Sequence, residues 1–271
     1  MRRLSLQMYF PFQSHPLLNF KAERKQVYYP LDKFGYDDIN FIIHNEDYYM
    51  AAKITTDGLW RISYGEDTKL SLEEVIAHQP TKYERMLPGN PKPGDYKLLN
   101  VGPYRIHQRM APKFRVGRIL LAADAAHLCN PFGGLGLTGG LVDVGGLAEC
   151  FAGMQMGVAD ETILDKYDEM RRLKYQEVIN PVSSDNFLRV SATDPKEALV
   201  KDEFLMMVEK ARTDQATRDE LDQVGVDLSY MRGEANLNRV FMLFVMISRS
   251  IIIRSRRRWR GYRRTGVGKE C

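Results

Sequence analysis

The chain has 271 residues, enough for one large domain or two small ones, and its 44% hydrophobic and 27% charged content is that of a soluble globular protein with a sizeable core. The formal net charge of +4 is unevenly spread: residues 249–271 carry eight Arg, one Lys and one Glu, so this tail is +8 and the rest of the chain −4, which argues against nucleic-acid binding by the body. Cys129, Cys150 and Cys271 are too few and too scattered for a disulfide framework or a zinc site. The apolar run near the basic start is short and broken by Gln7 and Pro11, so no secretory signal is read there and a reducing, cytoplasmic location is expected.

No internal repeat or long low-complexity segment is present, and the N-terminal third reads as β-rich. "YYMAAKITTDGLWRISYGED" is two strand-like runs joined by Asp57-Gly58, a hairpin signal because both turn positions favour positive φ. Trp60, Ile62 and Tyr64 then share one face, with Arg61 and Ser63 on the other. "SLEEVIAHQ" reads as a short helix opened by a Ser71/Glu74 capping box, and "LPGNPKPGDY" as a loop. Tyr48, Tyr49 and Trp60 suit either an aromatic pocket or, more simply, packing on a sheet.

"YKLLNV" and "GRILLAAD" read as strands, the second a continuous apolar run of the kind covered on both faces. Beyond it lies G-L-G-L-T-G, Gly134 to Gly139, a literal match to the dinucleotide fingerprint. In that fingerprint the first Gly follows its strand almost directly, whereas Gly134 comes ten residues after Asp124, so the match is one of spelling. A different device fits better. Asp124, at the end of a buried strand, can accept hydrogen bonds from ribose-type hydroxyls. Pro131 and Gly133-Gly134 turn the chain, and a helix beginning near Gly136 points its free N–H groups and positive dipole end at a ligand. Gly139, Gly140, Gly145, Gly146 and Gly153 lie inside that helix, each costing about 0.8–1 kcal/mol relative to Ala, so something needs backbone without side chains. A ligand is the favoured reading, and close packing in a sheet is the alternative. Leu137, Leu141, Val144, Ala148 and Phe151 still form an apolar stripe.

The remainder reads as mostly helical. One helix starts at a cap at Asp160 and stops at Asn180-Pro181; another has Asp194 at N-cap and Pro195 at N1. His107 and Arg109 precede the Gly-rich region and are read as structural rather than catalytic. Cys129 lacks a resolving Cys or basic partner and is not read as reactive. In the tail, the apolar run Val240–Ile253 is 14 residues long with Arg249 inside, too short to span a bilayer. A membrane-surface helix with a polybasic flank is one reading of it; non-native coding sequence is the other.

The segment "GRILLAADAAHLCNPFGGLGL" closely resembles the second FAD motif of flavin-dependent aromatic hydroxylases of the p-hydroxybenzoate and phenol hydroxylase type, G-R-[VI]-x-L-x-G-D-A-A-H-x-x-x-P-x-G-G-x-G-x-N. "YRIHQRMAPKFRVGR" before it and "ILDKYDEMRRLKY" after it agree, residues 28–67 look like the substrate-domain sheet of fungal members, and the resemblance covers about residues 25–210. It implies an α/β (α+β) fold: a β-rich substrate-domain sheet over residues 1–95, the C-terminal part of an FAD-binding domain over 96–155, a helical region over 156–238 and an apolar-basic tail over 239–271. It also implies that Asp124 binds FAD hydroxyls, and that Pro131, Gly134, Gly136 and Leu137, with Thr138 as a polar cap, lie against the isoalloxazine ring and pyrophosphate. NAD(P)H would be the reductant, O2 the oxidant and an aromatic or polyketide-like small molecule the substrate, in a flavoprotein monooxygenase of fungal secondary metabolism.

The chain departs from the family pattern in three places. Residues 1–30 contain no Gly, so the N-terminal G-x-G-x-x-G is absent, as is the middle Asp-Gly motif. The Gly of the motif's Gly-Asp is Ala123, which is strained if its φ is positive, and the usual Asn is Thr138. The first departure implies a truncated relative in which Ile119–Leu121 has an unpaired edge and FAD binding needs a complementing chain or a homo-oligomer. The competing reading is a redox-inactive binding or scaffold module.

Overall fold

The computed structural model describes residues 21–67, 69–223, 226–227, 239–240 and 251–253. In chain order the elements are β1 (Lys21–Tyr28), β2 (Ile39–Ile43), β3 (Tyr49–Lys53), β4 (Leu59–Glu66), α1 (Leu72–Met86), β5 (Lys97–Arg105), β6 (Arg109–Met110), β7 (Arg115–Val116), β8 (Ile119–Leu120) and β9 (His127–Leu128). Then follow α2 (Leu135–Gln155), α3 (Ile163–Lys174), α4 (Asn180–Ala192), α5 (Ala198–Lys201), α6 (Glu203–Ala211), α7 (Gln215–Gln223), β10 (Val226–Asp227), β11 (Arg239–Val240) and β12 (Ile251–Ile253). They fall into two compact units, one holding residues 106–187, 226–227 and 239–240, the other the described residues of 21–105, 188–223 and 251–253.

The second unit is built on a six-stranded sheet in the order β12-β2-β3-β4-β1-β5. β3 and β4 form the hairpin expected at Asp57-Gly58. The loop is longer than two residues, Ile54 to Gly58, so only Gly58 takes a left-handed φ, +95°. Asp57 instead accepts hydrogen bonds from the Thr55 and Tyr28 hydroxyls. Trp60, Ile62 and Tyr64 share the face that packs into the core with Val27, Tyr49 and Tyr83. The Tyr64 and Tyr83 rings meet edge to face at 6.2 Å, an arrangement that adds to the area they bury. Tyr49 and Trp60 are thus core residues, and Tyr48 lays its ring over Gly65, where a β-carbon would collide with it. The capping box is present: the Glu74 N–H donates to Ser71 Oγ at 3.2 Å and the Ser71 N–H to Glu74 Oε2 at 2.7 Å. The helix it opens is longer than expected, running through Pro80 to Met86. Val75, Gln79, Tyr83 and Met86 hold it on the sheet at spacings of three and four, and this packing outweighs the hydrogen bond lost at Pro80.

β12 pairs in parallel with β2, so Ile251–Ile253 is extended and not part of a surface helix. The rest of the apolar-basic tail lies outside the described residues. β5, which follows the sequence boundary at residue 95, pairs with β1 in this same sheet.

The other unit carries the Gly-rich segment. Here "GRILLAAD" is not a long buried strand: only Ile119–Leu120 is β, paired antiparallel with β7, and Ile119 is 54% exposed. The Leu121 N–H leaves the ladder for Phe114 O at 2.8 Å. An apolar run alone does not distinguish a strand sandwiched by neighbours from one whose only partner among the described residues is a two-residue ribbon.

α2 starts at Leu135, one residue from the expected position, but its faces are reversed. Leu135, Gly139, Gly140, Asp143, Gly146 and Cys150 are buried, while Leu137, Leu141, Val144 and Phe151 of the apolar stripe are exposed. The buried side is the small, glycine-bearing one because it must approach backbone closely. The helix expected to stop at Asn180-Pro181 continues: α3 passes through a π-helical turn, Tyr175–Ile179, into α4. The wider turn accommodates Pro181, whose ring has no place in a regular α ladder. Its start also differs, with Thr162 at N-cap and Asp160 accepting the Thr162 N–H at 2.9 Å. Asp194 likewise closes a turn rather than capping a helix. Two helices form in that segment: Glu197 is the N-cap of α5, and Asp202 caps α6, accepting the Leu205 N–H at 3.2 Å.

Candidate functional site

The site is assembled where the β8–α2 connection meets α2. Ala123–Ala125 form a 3-10 turn closed by the Ala126 N–H on Ala123 O at 2.8 Å. Ala123 has φ +53°, one of two non-glycine residues with positive φ among the described residues. An L-residue in that region costs about 1–2 kcal/mol, so the substitution for the motif glycine is a strained one. Asp124, in the middle of the turn, is exposed.

The chain then runs through β9 to a second 3-10 turn, Pro131–Gly133, capped by Asn130 Oδ1, which accepts the Phe132 N–H at 3.0 Å. Gly134 (φ +60°, ψ +9°) ends this turn and begins α2. No side chain caps α2. The Leu135 N–H is directed at the Cys129 sulfur, and a β-carbon on Gly136 would meet only that sulfur, at 3.9 Å. The next N–H groups of the first turn, at Gly136 and Leu137, remain available to a ligand, with the dipole's positive end behind them. Thr138 is not the polar cap the sequence suggested. It lies within the helix, and its hydroxyl is buried with no hydrogen-bond partner among the described residues. Leu137 is 77% exposed.

Asp124, Cys129 and the helix terminus are close neighbours. Burial, and then repulsion from the Asp124 carboxylate, push the Cys129 thiol up to about 11, against the opposing pull of the Leu135 and Cys129 N–H groups. A thiol so raised is a poor nucleophile, in keeping with the sequence reading.

Behind the turn lies a buried ionic network. Asp143 Oδ1 accepts from Arg171 Nε at 2.5 Å; Oδ2 is 2.8 Å from His127 Nε2 and accepts the Ala123 N–H at 2.8 Å. Asp143 and Arg171 are fully buried and His127 nearly so. Burial alone would raise the Asp143 carboxyl; the His127 and Arg171 contacts outweigh it and hold the group below the ordinary carboxylate range. The Tyr167 hydroxyl donates to Leu121 O at 2.9 Å and the Tyr175 hydroxyl to Leu128 O at 2.8 Å, tying α3 and the π turn to the same loop.

A second, neutral network fixes the other end of the loop. Gln108 Oε1 accepts the Asn130 N–H at 2.9 Å, Gln108 Nε2 donates to Ser183 Oγ at 2.7 Å, and Asn130 Nδ2 donates to Ser183 O at 2.8 Å. The sequence reading missed Gln108, Asn130, Asp143, Arg171 and Ser183. Asp143 had a signal: a carboxylate in the middle of an apolar, glycine-rich helix needs a partner. Arg171 had one too, standing on the buried stripe Leu164, Tyr167, Arg171 of an otherwise polar helix. Arg109 pairs through its backbone in β6 with Leu128 of β9.

This arrangement has the features an anionic, hydroxyl-rich cofactor requires: an uncapped helix terminus, a cradle at Gly136 that a side chain would narrow, an orphaned Thr138 hydroxyl and an exposed carboxylate at Asp124. They define an FAD-binding domain. A family model described as "FAD binding domain" matches residues 45–181, and the chain belongs to that family. Para-nitrophenol 4-monooxygenase of Pseudomonas sp. (strain WBC-3) is 38% identical over 207 residues, covering 76% of this chain and 50% of that protein. The crystal structure of p-nitrophenol 4-monooxygenase PnpA from Pseudomonas putida DLL-E4 matches with a TM-score of 0.68 and 33% identity, over 81% of this chain and 55% of that one. The flavin-dependent monooxygenase PieE, solved with FAD and substrate, shares the fold at a TM-score of 0.53 and 16% identity, over 77% of this chain and 39% of that one. The chain thus spans about half the length of the relatives it matches. The mixed α/β fold of the flavin-dependent aromatic hydroxylases, expected from the motif, is the fold observed.

Proposed function

We propose that this chain serves an FAD-dependent monooxygenase that hydroxylates or epoxidises a small aromatic or polyketide-like molecule. NAD(P)H is the electron donor: it supplies two electrons, one atom of O2 enters the substrate and the other leaves as water. The observation that carries the reading is the uncapped N-terminus of α2 beside the exposed Asp124 carboxylate. FAD, when bound, supplies the redox chemistry, as a cofactor does on any scaffold. The chain's own residues bind and orient. Asp124 accepts hydrogen bonds from cofactor hydroxyls, and Pro131 and Gly134 set the path of the loop. The first-turn N–H groups at Gly136 and Leu137 stabilise negative charge on the cofactor, and Thr138 Oγ1 offers a further polar contact. A phenol-class substrate is supported by the likeness to para-nitrophenol 4-monooxygenase. The fungal, secondary-metabolite assignment rests on the sequence resemblance alone.

Two sequence expectations belong with this proposal. A complementing segment outside residues 1–271 supplies the G-x-G-x-x-G element, and the basic residues of 249–271 touch an anionic membrane surface from the cytoplasm. A second reading, a redox-inactive binding or scaffold module, draws its support from Ala123, strained where the family motif has glycine. The test is to mix the purified chain with FAD, remove the excess and record the flavin spectrum, then to follow NAD(P)H oxidation with a panel of phenols. Retained flavin and substrate-stimulated oxidation support the monooxygenase. No flavin held at micromolar protein sinks autonomous activity and favours the second reading.

A further inference from the structure

Three groups share one carboxylate at the heart of the FAD-binding unit. Arg171 occupies Oδ1 of Asp143, while His127 and the Ala123 N–H converge on Oδ2, all within 2.8 Å. An ion pair buried this deeply adds little stability over apolar residues of the same volume, so stability does not explain why it is built here. What an apolar trio cannot do is accept a backbone N–H from a residue held at positive φ. Ala123 is that residue, at φ +53°, and it directly precedes Asp124. Released from Asp143, Ala123 would relax to negative φ, and the direction of the Asp124 carboxylate would change with it. α2 meets the same turn from the other side, since a β-carbon on Gly140 would stand 2.8 Å from that of Ala123.

We propose that Asp143, oriented by Arg171 and His127, is a positioning residue for the cofactor: it holds Ala123 in the left-handed conformation that aims Asp124 at FAD. The proposal rests on the FAD reading of this site. It assigns the network a task that glycine at position 123 would make unnecessary, because glycine adopts positive φ unaided.

The test is a double-mutant cycle on the full chain. In Asp143→Asn the single remaining oxygen is claimed by Arg171, which turns the amide NH2 toward the Ala123 N–H, donor against donor. FAD affinity, read by quenching of flavin fluorescence, is expected to fall about tenfold or more, an order-of-magnitude expectation for a lost charge-assisted hydrogen bond. Ala123→Gly should restore several-fold more affinity in the Asp143→Asn background than it adds to the parent. If the two substitutions act independently, the positioning role is wrong. Gly140→Ala supplies a second pair that leaves the ion pair intact and stands in if Asp143→Asn does not fold. Its added methyl should weaken binding, and Ala123→Gly, by removing the atom it meets, should reverse the loss; no reversal overturns the proposal. Hydrogen exchange at the Ala123 and Ala126 amides gives a readout without flavin. Loss of protection in Asp143→Asn or Gly140→Ala, regained with Ala123→Gly, supports the clamp even if the parent retains no FAD, in which case the functional reading fails alone. Unchanged protection overturns the clamp.

Discussion

Arg171 Nε lies 2.5 Å from Asp143 Oδ1, and both side chains are fully buried. Removing one partner strands a charge in the interior, whereas removing both does not. Arg171→Met should therefore cost about 3–5 kcal/mol of unfolding free energy, the range for breaking a buried pair. Adding Asp143→Leu should recover only part of that loss, because it removes the stranded charge but leaves the His127 ring nitrogen and the Ala123 N–H without their acceptor. Urea unfolding of the two variants checks this; a loss below about 1 kcal/mol in the single variant would mean that the pair is hydrated.

The same carboxylate makes stability depend on pH in a defined direction. Its folded pKa is depressed, so the unfolded chain binds the proton more readily, and the stabilisation is fully present above the unfolded value of about 3.9. It is lost as pH falls through the folded value. The groups facing Asp143 are His127 from β9 and Arg171 from α3, with Tyr167 close by. Asp57, Asp160 and Asp214 are also depressed, but the first two are exposed and the third half-buried, and all three are retained in Asp143→Asn. The parent should lose stability more steeply than Asp143→Asn between about pH 5 and pH 2. Parallel curves of unfolding midpoint against pH would contradict this.

Gly133 is required by space rather than by dihedral angle. A β-carbon there would run into Cβ of Ser183 and stand 2.9 Å from its Cα, and the latter atom cannot swing away. Gly133→Ala should destabilise by about 1–3 kcal/mol, as overpacking does. It should also weaken FAD retention, because Pro131 and Gly134 lie in the same turn. Thermal unfolding and flavin titration check the two effects separately. A fully stable variant would show that α4 yields at this contact.

The elements that sequence exposed were those with local chemistry. The Ser71/Glu74 capping box, the Asp57-Gly58 hairpin, the alternation at Trp60, Ile62 and Tyr64 and the start of α2 each follow from residues within a few positions of one another. Features set by distant partners were hidden. Whether Ile119–Leu121 is sandwiched or exposed depends on which strands lie beside it, and Pro181 reads as a helix stop only if a π turn is not placed before it. The motif letters located the loop around Asp124, Pro131 and Gly134, but the residues that hold the loop are Asp143, Arg171, Gln108 and Ser183. Ser183 binds the loop at Asn130 from 53 positions away, and no spacing rule connects these residues.

The apolar stripe of α2 is the clearest such case, and it yields a test of its own. Period 3.6 identified the stripe correctly, and the usual inference, that the apolar face is the buried one, then fails. Leu137, Leu141, Val144 and Phe151 are 77%, 63%, 57% and 49% exposed, while the opposite face buries Gly139, Gly140 and Asp143. The helix packs by backbone approach and by one ion pair, and both require small residues or a charge on the inner side. Since Leu141 already faces solvent, Leu141→Gln removes little buried apolar area. It should change unfolding free energy by no more than about 0.5 kcal/mol, as for other surface positions. It should also reduce self-association, because a contiguous apolar face in water favours pairing. Urea unfolding and sedimentation velocity of the full chain measure the two effects. A destabilisation of about 2 kcal/mol or more would be the signature of a buried leucine and would show that this face of α2 is covered in the folded protein.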